Sequence, residues 1–123
     1  MPGSGRITRG RVTWWAFRAM MVARYHVIRN HPLESVRLPR TPRWTPVEEE
    51  STVLSVIDRF KISCLTRTFV RQAWYTGHGN PRDLMIGVRS PSNGFEAHAW
   101  LEGDPSTEYE GFEVLAKRPP VRT

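Results

Sequence analysis

The sequence predicts an α+β fold, with N-terminal helices packed on a small antiparallel sheet. Three observations carry this reading. Apolar residues recur at helical spacing as far as Trp74, and they alternate at strand spacing after Phe95. Dense turn signals at 76–81, 90–94 and 103–106 divide the second half into short pieces. A length of 123 residues suits one domain, expected to comprise a basic helical region over residues 1–45 and a core over residues 46–116.

Residues 12–29 read as a helix. Trp14, Phe17, Met21, Tyr25 and Ile28 fall at spacings of three and four and are expected to face the core. Arg11, Arg18 and Arg29 flank that stripe on one side and Arg24 on the other, while Trp15 and Met20 are left off it as candidate docking anchors together with Trp44. Prolines 32, 39, 42 and 46 make residues 31–46 a connector. A second helix is expected from Thr45-Pro46-Val47-Glu48, with Thr45 and Glu48 as a capping box and Val53, Leu54, Ile57 and Phe60 buried.

A third helix is expected from Cys64 to Trp74, with Leu65, Phe69, Val70 and Ala73 inward. Leu84–Val88 forms a short apolar strand, and residues 95–102 alternate. Phe95, Ala97, Ala99 and Leu101 take one face of that strand; Glu96, His98, Trp100 and Glu102 take the other. A last strand carries Tyr109, Phe112, Val114 and Leu115, so that the three strands are expected to follow one another as a meander.

The net charge of +6 is unevenly placed. Residues 1–45 hold nine arginines and one acid, whereas residues 46–123 hold nine basic and eleven acidic residues. A basic surface interleaved with tryptophans fits a nucleic-acid or acidic-peptide binding module. The net acidic remainder and the lack of a recognition motif argue against nucleic acid. One cysteine excludes a disulfide framework, and without a Cys-x-x-Cys pair no structural zinc site and no cofactor are expected. No apolar run is long enough to span a membrane as a helix. Arg18 interrupts the apolar run that follows Arg11, too early for a secretory signal, so the expected location is the cytoplasm.

Chemistry centres on Cys64. A cysteine that opens a helix faces the positive end of the helix dipole and has basic neighbours in Lys61 and Arg67. A lone cysteine is also a common small buried hydrophobe. His98 shifts the balance, because a histidine on the polar face of a strand can pair with a thiol on a separate rigid element. If a tight turn near Asp104 joins two neighbouring strands, Glu110 stands opposite His98, and a slip of one residue brings Glu108 diagonally near it. Glu110 is therefore the preferred acceptor for the other ring nitrogen, with Glu108 in reserve. The backbone N–H of Cys64 is a candidate oxyanion donor.

Cys64-Leu65-x-Arg67, Ile86-Gly87-Val88-Arg89 and Phe95-x-Ala97-His98-Ala99-Trp100-Leu101-Glu102 together resemble the lasso peptide leader peptidases. These are stand-alone cysteine proteases of the transglutaminase-like group, and the likeness covers residues 50–116. The resemblance implies a papain-like Cys-His-acid triad of Cys64, His98 and an acid about a dozen residues later, a position usually held by Asp and here by Glu110. It implies cleavage of a ribosomally made precursor peptide between leader and core. It also implies two partners, a small winged-helix leader-binding protein and an ATP-using cyclase resembling asparagine synthetases.

Overall fold

The first helix is longer than its apolar stripe requires, and it faces the other way. In the computed structural model, α1 spans Ser4–Ile28. The structure describes residues 4–89, 94, 96–104 and 111–120, with side chains from residue 8 onward. Val12, Trp15, Ala16, Ala19, Met20 and Ala23 form the buried face. The residues expected inside are all exposed, from Phe17 at 37% to Ile28 at 69%. The alanines decide the orientation, because a face of small side chains lets α2 and α3 approach closely, while the bulky stripe would hold them off. Trp15 is further fixed by its indole N–H, which donates to Pro39 O at 3.0 Å. Trp15 and Met20 are therefore core residues and not docking anchors, while Trp44 is 92% exposed.

Two short 3-10 turns, Leu33–Ser35 and Val47–Glu49, bracket the connector. The second leads into α2, Glu50–Ile57. The expected capping box does not form. Thr45 Oγ1 donates to Pro42 O at 2.8 Å, and the extended Pro46 precedes the helix without a side-chain cap. Val53 and Ile57 are buried as expected, but Phe60 lies beyond the helix end and is exposed. α3 spans Cys64–Gly77 and buries Thr66, Thr68, Phe69, Val70, Gln72 and Trp74.

The sheet comprises β1 (Leu84–Arg89), β2 (Glu96–Leu101) and β3 (Glu113–Arg118). Its order is β2-β1-β3, with β1 antiparallel to both neighbours. It is thus not a meander: β2 and β3 are the two outer strands, and the chain crosses β1 between them. His98 pairs with Gly87 of β1, and β3 lies on the far side of β1, so β2 and β3 do not form the tight hairpin from which the register was expected. The physical reason is strand direction. Two strands that both run antiparallel to β1 are parallel to each other and cannot be joined by a tight hairpin.

Leu84 and Leu101, with the helical residues above, complete the hydrophobic core. Arg118 ties β3 to the connector. Its guanidinium donates to Leu33 O at 2.9 Å, Val36 O at 2.7 Å and Gln72 Oε1, and lies over the Phe69 ring. Burial, together with the charge of Arg37, lowers its pKa to about 10. One residue before Gln72, Arg71 holds Asp104 by two bonds of 2.9 Å. Asp104 Oδ2 also accepts from the Leu101 amide at 3.1 Å, closing the turn after β2. No helix among the described residues is long and apolar enough to cross a membrane.

Candidate active site

Cys64 is the first residue of α3, and the local sequence explains why the helix starts there. Ser63 has extended backbone, and its Oγ accepts from the Thr66 amide at 3.1 Å, a side-chain N-cap. Ser63 O then accepts the first helical bond, from the Arg67 amide at 3.1 Å. This leaves the amides of Cys64 and Leu65 without an acceptor among the described residues. They are two of the orphan donors of a helix start. The thiol is free and exposed. The oxygen of an acyl carbon attacked by Cys64 would develop its negative charge beside these two N–H groups and the positive end of the α3 dipole.

His98 lies in the middle of β2, exposed, on the sheet face opposite the buried Ala99. Its ring meets Phe112 edge-on, at a centroid distance of 5.3 Å and an interplanar angle of 84°. Phe112 in turn touches Trp100 at 5.9 Å and lies beneath the Arg89 guanidinium. Trp100 is buried, not solvent-facing. Its indole lies over Gly87, where an added Cβ would come within 2.6 Å of Trp100 Cη2 and 3.0 Å of Glu113 O. Gly87 thus leaves room for an indole beside the catalytic candidate. The Ile-Gly-Val-Arg and Ala-His-Ala-Trp strings pair with each other across the β1–β2 ladder.

A buried hydroxyl joins the two elements. Thr68 Oγ1 lies 2.6 Å from Cys64 O and 3.1 Å from Ala99 O. The contact tethers the first turn of α3 to the strand one residue past His98. α3 and β2 run in the same direction, since Thr68 meets Ala99 and, further along, Arg71 meets Asp104. One helical turn back from Thr68 is about 6 Å. At about 3.3 Å per strand residue, this sets Cys64 level with residues 97 and 98.

Glu110 and Glu108 lie outside the described residues. Trp74 is in the core, and its indole N–H donates to Val47 O at 3.0 Å. His78 bridges α3 and the connector: Nδ1 is 2.7 Å from Trp74 O and Nε2 is 2.9 Å from Thr45 O. The sequence reading overlooked Thr68 and Phe112 as supports of the site. A buried threonine one turn after a helix-opening cysteine carries no motif of its own. Gly87, in contrast, was a readable sign, since glycine inside a strand marks close approach by a neighbour.

Among the described residues, no group of three or more His, Cys, Asp or Glu side chains could hold a metal ion. No curated protein and no solved structure matches the chain at a significant level. A family model does match, over residues 7–117, and so takes in α1 as well as the helix and strands that carry Cys64 and His98. A helix-opening free cysteine beside a histidine-bearing strand suits that family, and with nearly the whole chain matched, the protein belongs to the transglutaminase-like superfamily, a group that includes cysteine peptidases.

Proposed function

We propose that the protein is a cytoplasmic cysteine peptidase that removes the leader from a ribosomally synthesised lasso peptide precursor. In this reading it works with a small winged-helix leader-binding protein, and before or together with an ATP-dependent cyclase. The observation that carries the proposal is the Thr68 contact, which ties the helix start bearing the exposed Cys64 to the strand that bears His98. The Ala-His-Ala-Trp-Leu-Glu string and its pairing with Ile-Gly-Val-Arg support the narrower assignment to leader removal.

The chemistry follows from the residues. Cys64 Sγ gives its proton to His98 and attacks the scissile carbonyl. The amides of Cys64 and Leu65 receive the oxyanion. His98 then donates the proton to the departing amine of the core peptide, leaving the leader as a thioester on Cys64. Water, deprotonated by His98, hydrolyses the thioester and regenerates the thiol. Glu110, or Glu108 in its place, is the proposed acceptor for the second ring nitrogen. A reducing compartment suits a catalytic free thiol.

The test is cleavage of the precursor by the purified protein with its leader-binding partner, followed by mass spectrometry. Cys64→Ala and His98→Ala should each lower cleavage by about 10³-fold or more while leaving the fold intact. Iodoacetamide should inactivate the wild type through Cys64 alone. Undiminished cleavage by Cys64→Ala would end the peptidase reading. Full cleavage by Glu110→Gln alongside loss in Glu108→Gln would move the third role to Glu108.

A further inference from the structure

The outward face of α1 has no counterpart in the reaction described above. Trp14, Phe17, Met21, Tyr25 and Ile28 form one exposed stripe, about 21 Å long at 1.5 Å per residue. The stripe is extended sideways by Phe60, from the segment between α2 and α3. The Trp14 and Phe17 rings stack at 6.3 Å, and Phe17 meets Phe60 at 6.1 Å. A contiguous row of large exposed apolar side chains on a small soluble fold marks an interaction surface. The margins are basic. Arg11, Arg18 and Arg29 run along one side and Arg24 along the other, all exposed and none in an ion pair among the described residues. Arg29 also lies over the Tyr25 ring.

From this surface we infer that α1 docks a second protein through an acidic amphipathic helix, with apolar residues on its centre line and Asp or Glu on both flanks. Charge complementarity selects this occupant. A second copy of the chain would bring two sets of unneutralised arginines face to face, a like-charge cost at every register. An acidic helix instead pairs its carboxylates with the guanidiniums on both margins and buries the aromatic row between them. The rings are held against one another and against a residue from another element. That gives a fixed relief, which a packed protein surface can match side chain by side chain, whereas a fluid bilayer rewards area alone. The position adds a consequence. Phe60 precedes Cys64 by four residues, so the edge of the docking surface lies within about 14 Å of the thiol-bearing position. A partner seated on α1 stands beside the start of α3. The inference does not depend on which reaction Cys64 performs.

Two synthetic helical peptides test it. They share one Leu/Phe stripe at i, i+3, i+4 and i+7, and one is flanked by Glu, the other by Lys. The full-length protein should bind the Glu-flanked peptide at least tenfold more tightly, read by intrinsic tryptophan fluorescence and by anisotropy of the labelled peptide. Salt near 1 M should erase most of that preference. The triple change Arg11→Glu, Arg18→Glu and Arg29→Glu should reverse it. Trp14→Ala with Met21→Ala and Ile28→Ala should weaken binding tenfold or more without lowering the melting temperature. The iodoacetamide rate at Cys64 should stay unchanged in both triple variants, which separates this test from that of the peptidase reading. Equal binding of the two peptides overturns the inference. So does a concentration-dependent dimer abolished by the Trp14 triple variant, which would assign the face to a second copy. Stronger capture by phosphatidylglycerol vesicles than by the Glu-flanked peptide would assign it to a membrane surface and overturn it equally.

Discussion

Replacing Thr68 by valine removes one hydroxyl and keeps nearly the same shape, so it isolates the contact between Cys64 and the His98 strand. Cys64 O loses a partner at 2.6 Å but remains a helical acceptor. Ala99 O, at 3.1 Å, loses its donor in a place where Thr68 is 4% and Ala99 6% exposed, so water cannot easily replace it. The lost bond and the orphaned carbonyl together cost about 2 kcal/mol. For a domain of this size that is a fall in melting temperature of about 6 to 10 °C. The functional effect should exceed the stability effect. A displacement of about 1 Å between reacting groups costs up to about 10²-fold in rate, so precursor cleavage at a temperature where the variant is fully folded should fall tenfold or more. Thr68→Ser keeps the hydroxyl and should recover most of both losses. The assays are thermal denaturation followed by circular dichroism and timed cleavage of the precursor. Unchanged melting and cleavage in Thr68→Val, or equal losses in the serine and valine variants, would refute the view that this hydroxyl positions the site.

Gly87→Ala should cost about 1 to 3 kcal/mol by overpacking, because its methyl group would intrude on the Trp100 indole; a changed near-ultraviolet dichroism with a lowered melting temperature would verify it. Asp104→Asn should destabilise the fold by about 3 kcal/mol in urea denaturation, since it strips the half-buried Arg71 of its carboxylate. Burial opposes ionisation of Asp104, but bonds from Arg71 and the Leu101 amide outweigh it and hold the pKa below the ordinary value of 3.8; the stability it contributes is therefore complete above that value and lost as pH falls through the lower folded pKa. A separate acid step should appear higher. Burial and the neighbouring His31 lower the pKa of His26 below 6.5, and the two Nδ1 atoms lie 2.8 Å apart. The unfolded chain then binds the proton more readily, so stability should begin to fall as pH drops below 6.5, and His26→Gln should flatten that part of the pH–melting curve.

The features that were legible in the sequence were those written locally. Ser63 followed by Cys64 and an apolar helical pattern is a capping signal, and the cap forms as the chemistry of a serine hydroxyl requires. The β2 span was readable from alternation alone, apart from the burial of Trp100, which depends on a glycine in the neighbouring strand. The orientation of α1 was not readable by residue size. Apolar residues occur on both sides of that helix, and the alanine side wins because two other helices must pack against it, a tertiary demand absent from any window of the chain. The strand order was hidden for a similar reason. A turn signal at 103–106 states that the chain bends, and not which strand it returns to. The partner of His98 across the ladder is therefore Gly87, and the choice of Glu110 by cross-strand register loses its geometric basis.

The Arg118 clamp sets an order on synthesis. The carbonyls of Leu33 and Val36 are made early, yet their cation arrives 85 and 82 residues later. The central strand of the sheet likewise waits for β3. On a ribosome, α1, α2 and α3 can gather as they emerge, but neither the connector nor the sheet can close before residue 118 has left the exit tunnel. Until then the Cys64 end of α3 is supported by only part of its final surroundings. Nascent chains halted after β2 should therefore be protease-sensitive through the connector. Release of the last strand should convert them to the protected state in a single late step, as expected of a fold whose closing contacts are its most distant ones.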